Sequence, residues 1–363
     1  MAVRPRPLPP RRPDPPIHLP PPTAAVCLPE ASSTVPPMDP QIEPSRRSSP
    51  RTAPRRVVGP WQLGQRLARS QQSAVYRARP ADGSSHAPYE YLVKLLPETL
   101  RGDGAALARF RREVCVGGKV DHPHLVPVVD AELEQPPLFL VMPRLAGTTV
   151  RELLVAAGRI DWPTACWMGR QTAQALGHLH ELGWLHGDVK PDNLLVADDG
   201  HLTLLDLGML QPLGGLRIDG PVVRDDEGDR KGASADETSP WDECARRASL
   251  QGTLAYLAPE QILRAGVPTR ASDLFSLGMT LYEMIAGRHP LADLRDAELI
   301  RAQLYEPVAD VRDYEPSVPE SLADLIAQLL AKHPLRRPSD AHVVTRHLVE
   351  VEIRALQKRR ASA

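Results

Sequence analysis

Leu185-His186-Gly187-Asp188-Val189-Lys190-Pro191-Asp192-Asn193-Leu194-Leu195-Val196, followed after Asp199-Gly200 by Leu202-Thr203-Leu204-Leu205-Asp206-Leu207-Gly208, is the stretch that decides how this chain is read. A loop crowded with acids, a lysine and an asparagine precedes two apolar runs, and the Asp-Gly between those runs predicts a β-hairpin. If the runs pair, Asp206 leaves the hairpin close to the loop that carries Asp188 and Asn193. Three oxygen-bearing side chains then converge. That is the donor set of magnesium-assisted phosphoryl transfer, with hard oxygens for the metal and a carboxylate to receive a hydroxyl proton.

The order of these residues resembles the catalytic segment of eukaryotic-like, bacterial-type serine/threonine protein kinases, H-R-D-x-K-P-x-N followed by D-F-G. Here the pattern stands as His186-Gly187-Asp188-Val189-Lys190-Pro191-Asp192-Asn193 and Asp206-Leu207-Gly208. The resemblance implies an α+β, bilobal protein kinase fold with a small β-rich N-lobe and a larger α-helical C-lobe. It implies catalytic roles for Asp188, Lys190 and Asn193, and magnesium on Asn193 and Asp206. Two positions depart from the pattern. Gly187 replaces the arginine that in many kinases meets an activation-loop phosphate, so catalysis is expected not to depend strictly on such phosphorylation. Leu207 replaces the phenylalanine and keeps a smaller apolar plug.

Upstream, Gln62-Leu63-Gly64, Ala74-Val75-Tyr76-Arg77-Ala78 and Tyr89 to Leu95 read as three strands. Between the first two, where the family carries L-G-x-G-x-x-G-x-V over the ATP phosphates, this chain has Leu67-Ala68-Arg69-Ser70-Gln71-Gln72-Ser73-Ala74-Val75. The resemblance sets Ala68, Ser70, Ser73 and Val75 against the nucleotide. The absence of all three glycines puts a tight grip on it in doubt, because glycine lets backbone amides approach phosphates and take unusual dihedrals. Lys94 ends Tyr91-Leu92-Val93-Lys94, similar to V-A-I-K. The next element, Ala105 to Lys119, has Leu107, Phe110 and Val114 at helical spacing with Glu113 beside that stripe. Resemblance makes Glu113 the partner of Lys94 at the nucleotide's phosphates. Asp121-His122-Pro123-His124 reads as a packed turn rather than a metal site, since no further ligand stands at metal spacing. Leu138 to Met142 reads as a buried strand. Pro143-Arg144-Leu145-Ala146-Gly147 resembles the hinge between lobes, where the backbone of Leu145 would meet adenine.

Downstream the periods are helical. Thr149 to Ala157 predicts a short helix and Trp162-Pro163 opens a longer one that Gly183 ends. Residues 209–251 lack periodicity and hold the polar passage Arg224 to Lys231, an insertion where the family has its activation segment. Gly252-Thr253-Leu254-Ala255-Tyr256-Leu257-Ala258-Pro259-Glu260 then resembles G-T-x-x-Y-x-A-P-E of serine/threonine kinases. Asp273 is expected to cap the catalytic loop, and Arg337 to be the buried partner of Glu260.

The composition bounds the rest. Of 39 prolines, 18 lie at or before Pro60, so residues 1–57 are expected to be a disordered, proline- and arginine-rich tail, a candidate site for a binding partner. A kinase domain is expected over 58–350, with its N-lobe at about 58–143 and its C-lobe at about 147–350, and a short basic C-terminal tail over 351–363. A formal net charge of -1 argues against a nucleic-acid binder. Four cysteines without a C-x-x-C pair suggest a reducing compartment, and the absence of a long apolar run or signal peptide suggests a cytoplasmic protein with no membrane span. The expected activity is transfer of the ATP γ-phosphate to protein Ser/Thr hydroxyls, with ATP and Mg2+ required. A pseudokinase scaffold is the alternative that the glycine-free loop keeps open, and an adaptor role of the tail is compatible with either.

Overall fold

The computed structural model describes residues 56–70, 72–83, 87–214, 254–263 and 268–361. The tail up to residue 55, the insertion from residue 215, and Thr253 lie outside them.

The N-lobe is a six-stranded sheet in the order β1-β2-β3-β4-β6-β5, formed by β1 (Val57–Val58), β2 (Trp61–Arg69), β3 (Ala74–Pro80), β4 (Tyr91–Leu95), β5 (Asp130–Glu132) and β6 (Phe139–Pro143). All pairs are antiparallel, and β2 slips register against β3 between Leu63 and Ala68, next to the loop that joins them. Alternation decides which side chains face which layer. Val93 and Leu95 of β4 join Phe139 and Val141 of β6 in one apolar cluster. On the other face Leu138 and Leu140 pack with Phe110 of helix α1 (Gly104–Gly117). Lys94 stands between Val93 and Leu95 in the strand, so the two-residue period turns it towards α1.

Helix α1 starts where Asp103 accepts the amides of Ala105 and Ala106. Its buried stripe is Ala106, Phe110, Glu113 and Gly117. Glu113 is therefore a member of the buried face, whereas Leu107 and Val114, which marked that face in the sequence, are only partly buried.

The C-lobe is built on α3 (Trp162–Glu181) and α5 (Arg270–Ala286). Helix α5 is buried from Ser272 to Ile285 on every side, the signature of a core helix rather than an amphipathic one. Short helix α2 (Val150–Ala157) begins with a reciprocal capping box of Thr149 and Glu152. Further elements are α4 (Pro259–Ile262), α6 (Asp296–Tyr305), α7 (Glu320–Leu329) and α8 (Ala341–Ala361). Helix α8 runs on past residue 350, and Arg170 of α3 pairs with its Glu352 at 3.0 Å. The expected basic tail over 351–363 is therefore, through Ala361, the end of a helix that packing has already started.

The predicted hairpin forms. Strand β9 (Leu194–Val196) pairs with β10 (Leu202–Leu204), and β7 (Thr148–Thr149) adds to β9. Residues 209–214 belong to the fold rather than to the insertion, because Gln211 and Pro212 form β11 against β8 (Trp184–Leu185). The histidine turn packs as expected: His122 Nδ1 accepts the amide of His124, His124 Nδ1 lies 2.8 Å from the Leu202 carbonyl, and the His122 ring stacks on His178.

Candidate active site

The catalytic loop hangs from a buried carboxylate. Asp273, in the first turn of α5, accepts the amide of His186 on Oδ2 at 2.8 Å and that of Gly187 on Oδ1 at 2.9 Å, and its Oδ2 also meets His180 Nε2 at 2.9 Å. Burial works to raise the Asp273 carboxyl, but these partners outweigh it and hold the group below the usual range, charged. The sequence expectation for this residue holds. Gly187 has φ +79, and a Cβ there would lie 2.7 Å from the Met209 carbonyl oxygen. A side chain at this position would need both a left-handed backbone and displacement of the neighbouring chain.

With the loop so held, Asp188 is buried and its carboxylate is oriented by two donors. Lys190 Nζ reaches Oδ1 at 2.9 Å and Oδ2 at 2.8 Å, and Asn193 Nδ2 donates to Oδ2 at 2.9 Å and to the Asp188 carbonyl at 2.8 Å. The Asn193 amide nitrogen is thus spent on the loop, which leaves its Oδ1 as the acceptor available to a metal.

The N-lobe contributes the second half. Lys94 Nζ lies 2.7 Å from Glu113 Oε1 and 2.8 Å from Asp206 Oδ1. The Lys94 and Glu113 side chains are 11% and 5% exposed, whereas that of Asp206 is 45% exposed and faces the cleft. Burial alone would lower the Lys94 ammonium, but the two carboxylates override it and raise it, so it is charged. Burial raises the Glu113 carboxyl against the opposing pull of Lys94. At Asp206 burial also acts upward, and Lys94 together with the Gly208 amide brings the carboxyl below its ordinary value. Asp206 is the one non-glycine residue with positive φ among those described, at 59°, and its Oδ1 accepts the Gly208 amide at 3.2 Å. Such backbone strain persists only where surrounding contacts impose it. A Cβ on Gly208 would stand 3.0 Å from Asp206 Oδ1 and 3.3 Å from Lys94 Nζ, inside the ion cluster. Leu207, as expected of an apolar plug, is buried in the core.

The two halves share a cavity of about 460 Å3 lined by Lys94, Glu113, Asp188, Lys190, Asn193 and Asp206 together with Ser70 and Ser73. Ala68, Val75 and Leu145 do not line it. Leu145 is half-buried in the hinge, where Gly147 packs so tightly that a Cβ would lie 2.5 Å from the Val196 carbonyl oxygen. Among the described residues no cluster of three or more His, Cys, Asp or Glu forms a closed metal cage. The open pair of Asn193 Oδ1 and the Asp206 carboxylate nevertheless fits magnesium, which keeps waters and binds through one or two protein oxygens plus phosphates.

Sequence reasoning missed two arginines. Arg112 donates to the Leu210 carbonyl at 2.6 Å and ties α1 to the start of the segment after Gly208. Arg151 of α2 donates to Glu283 at 2.7 Å, to the Tyr256 hydroxyl at 2.7 Å and to Asp192 at 3.2 Å, joining the catalytic loop to α5. No local pattern marks either, because their partners lie 98 to 132 residues away, except for Asp192 at 41. The Glu260–Arg337 pair is bidentate, at 2.7 and 2.9 Å, as expected.

Comparison with known proteins agrees with this geometry. Residues 61–349 match the protein kinase domain family. The chain is 31% identical over 289 residues to the DNA damage-responsive serine/threonine-protein kinase RqkA of Deinococcus radiodurans, covering 78% of this chain and 38% of that protein. It is 27% identical over 248 residues to the serine/threonine-protein kinase PrkC of Bacillus subtilis, covering 68% and 34%. With the serine/threonine-protein kinase PknK of Mycobacterium tuberculosis the identity is 32% over 268 residues, covering 72% and 21%. The chain therefore spans well under half the length of these curated relatives.

Proposed function

This chain belongs to the protein kinase domain family, and from that premise we propose that it transfers the ATP γ-phosphate to serine or threonine hydroxyls of proteins. The observation that carries the proposal is the meeting, in one cavity, of the Lys94–Glu113–Asp206 cluster with the Asp188–Lys190–Asn193 cluster. A magnesium ion bound with the phosphates would neutralise their charge, and Asn193 and Asp206 are the residues to hold it. Asp188, with its carboxylate fixed by Asn193 and Lys190, accepts the proton of the substrate hydroxyl. Lys190 offsets charge on the transferred group. Lys94, kept charged by its two carboxylates, anchors the phosphates, and Ser70 and Ser73, which line the cavity, cover them; the adenine contact of the Leu145 backbone and the cover by Ala68 and Val75, outside that cavity, rest on the family resemblance alone.

Protein substrates bearing Ser or Thr hydroxyls, a binding partner for the proline-rich tail, and no use of nucleic acid complete the reading. A cytoplasmic location is supported by the scattered cysteines, of which Cys115 and Cys166 are free thiols. No helix among the described residues is long and apolar enough to cross a membrane.

The test is direct. Purified protein is incubated with Mg2+ and ATP and its intact mass measured, with generic protein substrates in parallel. Phosphate gain in the parent and none in Asp188→Asn is expected. No gain on the chain itself or on any substrate would transfer the weight to the pseudokinase.

A further inference from the structure

The turn between β2 and β3 is the phosphate cover of the proposed function, and any role for its side chains at the nucleotide rests on that reading. The Ser70 amide donates to the Ser73 carbonyl at 2.8 Å and closes the turn. The Ser70 hydroxyl then does something a glycine cannot: its Oγ accepts the main-chain N–H of Gln72 at 3.1 Å and that of Ser73 at 3.0 Å. Its own proton points to the Ser73 carbonyl at 3.4 Å or the Ser73 hydroxyl at 3.5 Å. Ser70, Gln72 and Ser73 all line the cavity that holds Lys94 and Asp206.

A cluster of successive main-chain N–H groups facing a cleft is a ready anion site. In a glycine-rich cover such amides are open to phosphate oxygens. Here two of them are already engaged by a neutral oxygen that belongs to the turn itself. We propose that the Ser70 hydroxyl is an internal stand-in for a nucleotide phosphate oxygen, holding the cover closed and competing with ATP for the Gln72 and Ser73 amides.

The exchange favours the nucleotide. A hydrogen bond to a charged acceptor is roughly twice as strong as one between neutral groups, so phosphate displaces the hydroxyl, but the turn's own bonds are lost in doing so. Ser70 thus orders a loop that has no glycine, and lowers the affinity it would otherwise have for phosphate. Local serine-to-backbone bonds of this kind compete with other uses of the same amides.

The experiment is calorimetric titration of the full chain with Mg·ATP, Mg·ADP and adenosine, for the parent, Ser70→Ala and Ser70→Asp. Loss of the hydroxyl frees both amides, and because the turn is exposed the gain is modest, about 3- to 10-fold tighter Mg·ATP for Ser70→Ala. Ser70→Asp, which offers the same amides a charged acceptor, weakens Mg·ATP. Adenosine, which carries no phosphate, binds alike in all three, so a general loosening of the loop is distinguished from competition. Equal or weaker Mg·ATP binding by Ser70→Ala, or an equal change for adenosine, overturns the proposal. If the parent transfers phosphate yet its affinity matches that of Ser70→Ala, this proposal alone fails. If no form binds Mg·ATP, the kinase reading fails with it.

Discussion

Replacing Glu260 by Gln should be among the most damaging isosteric changes in the C-lobe. The Arg337 side chain is 0% exposed, and its guanidinium makes five hydrogen bonds: two to the Glu260 carboxylate and three to the carbonyls of Ala331, Ala271 and Lys332. The amide keeps the shape of the carboxylate, so no cavity opens, but it removes the acid paired with this fully buried cation and sets an NH2 group against the guanidinium. Breaking a buried pair from one side costs about 3–5 kcal/mol. The three carbonyls that remain solvate part of the charge, which places the effect near the lower end, about 3 kcal/mol. For a domain of this size that is a fall in Tm of about 6–12 °C. Differential scanning calorimetry of Glu260→Gln, Arg337→Met and the double variant measures it. The double variant, with no charge left buried, should recover part of the loss. A fall of less than about 2 °C in both single variants would mean that the charge is solvated in a way this geometry does not provide.

Asp273→Asn exchanges the carboxylate that accepts the His186 and Gly187 amides for a group that clashes with one of them. The catalytic loop should shift, lowering kcat by about 10²-fold, as read in a phosphotransfer assay beside a circular dichroism check of folding. Gly187→Ala should destabilise the chain by about 1–2 kcal/mol from the left-handed backbone alone, with more from the contact at Met209, as read by denaturant unfolding; an arginine restored there should do worse. On the acid side His122 is one contributor beside His124 and His289, which burial also lowers; its pKa is lowered to about 4, chiefly by burial and then by the neighbouring His124 and His178. Between its unfolded value near 6.5 and about 4 the unfolded chain binds the proton that the folded chain refuses. The stability it contributes is therefore full above the upper value and is lost as pH falls through that window. His122→Asn, which keeps an acceptor for the His124 amide, should reduce the pH dependence of Tm there, with His289 keeping the remainder, and an unchanged slope would show that His122 contributes nothing to it.

What the sequence by itself determined were the features carried by short spacing. The hairpin of Leu194–Val196 and Leu202–Leu204 and the helix after Lys94 follow from a two- or 3.6-residue period and a turn signal, and the loop ahead of the hairpin is marked by the family resemblance of its residues. The residue set of the candidate site followed from resemblance, and eight of its eleven members share the cavity, Ala68, Val75 and Leu145 standing apart. Tertiary structure alone decided how those residues are held. Glu113 lies in the buried stripe because its partner comes from a strand nineteen residues earlier, and the apolar pattern of its own helix is blind to that. Arg112 and Arg151 look like solvated charge until the carbonyl and carboxylates they meet are brought up by the fold. Gly187 reads as a lost arginine in the sequence and as a close backbone passage in space. Periodicity reports which face of an element is buried, whereas hydrogen-bond partners and close approaches across long loops depend on the packing of the whole domain.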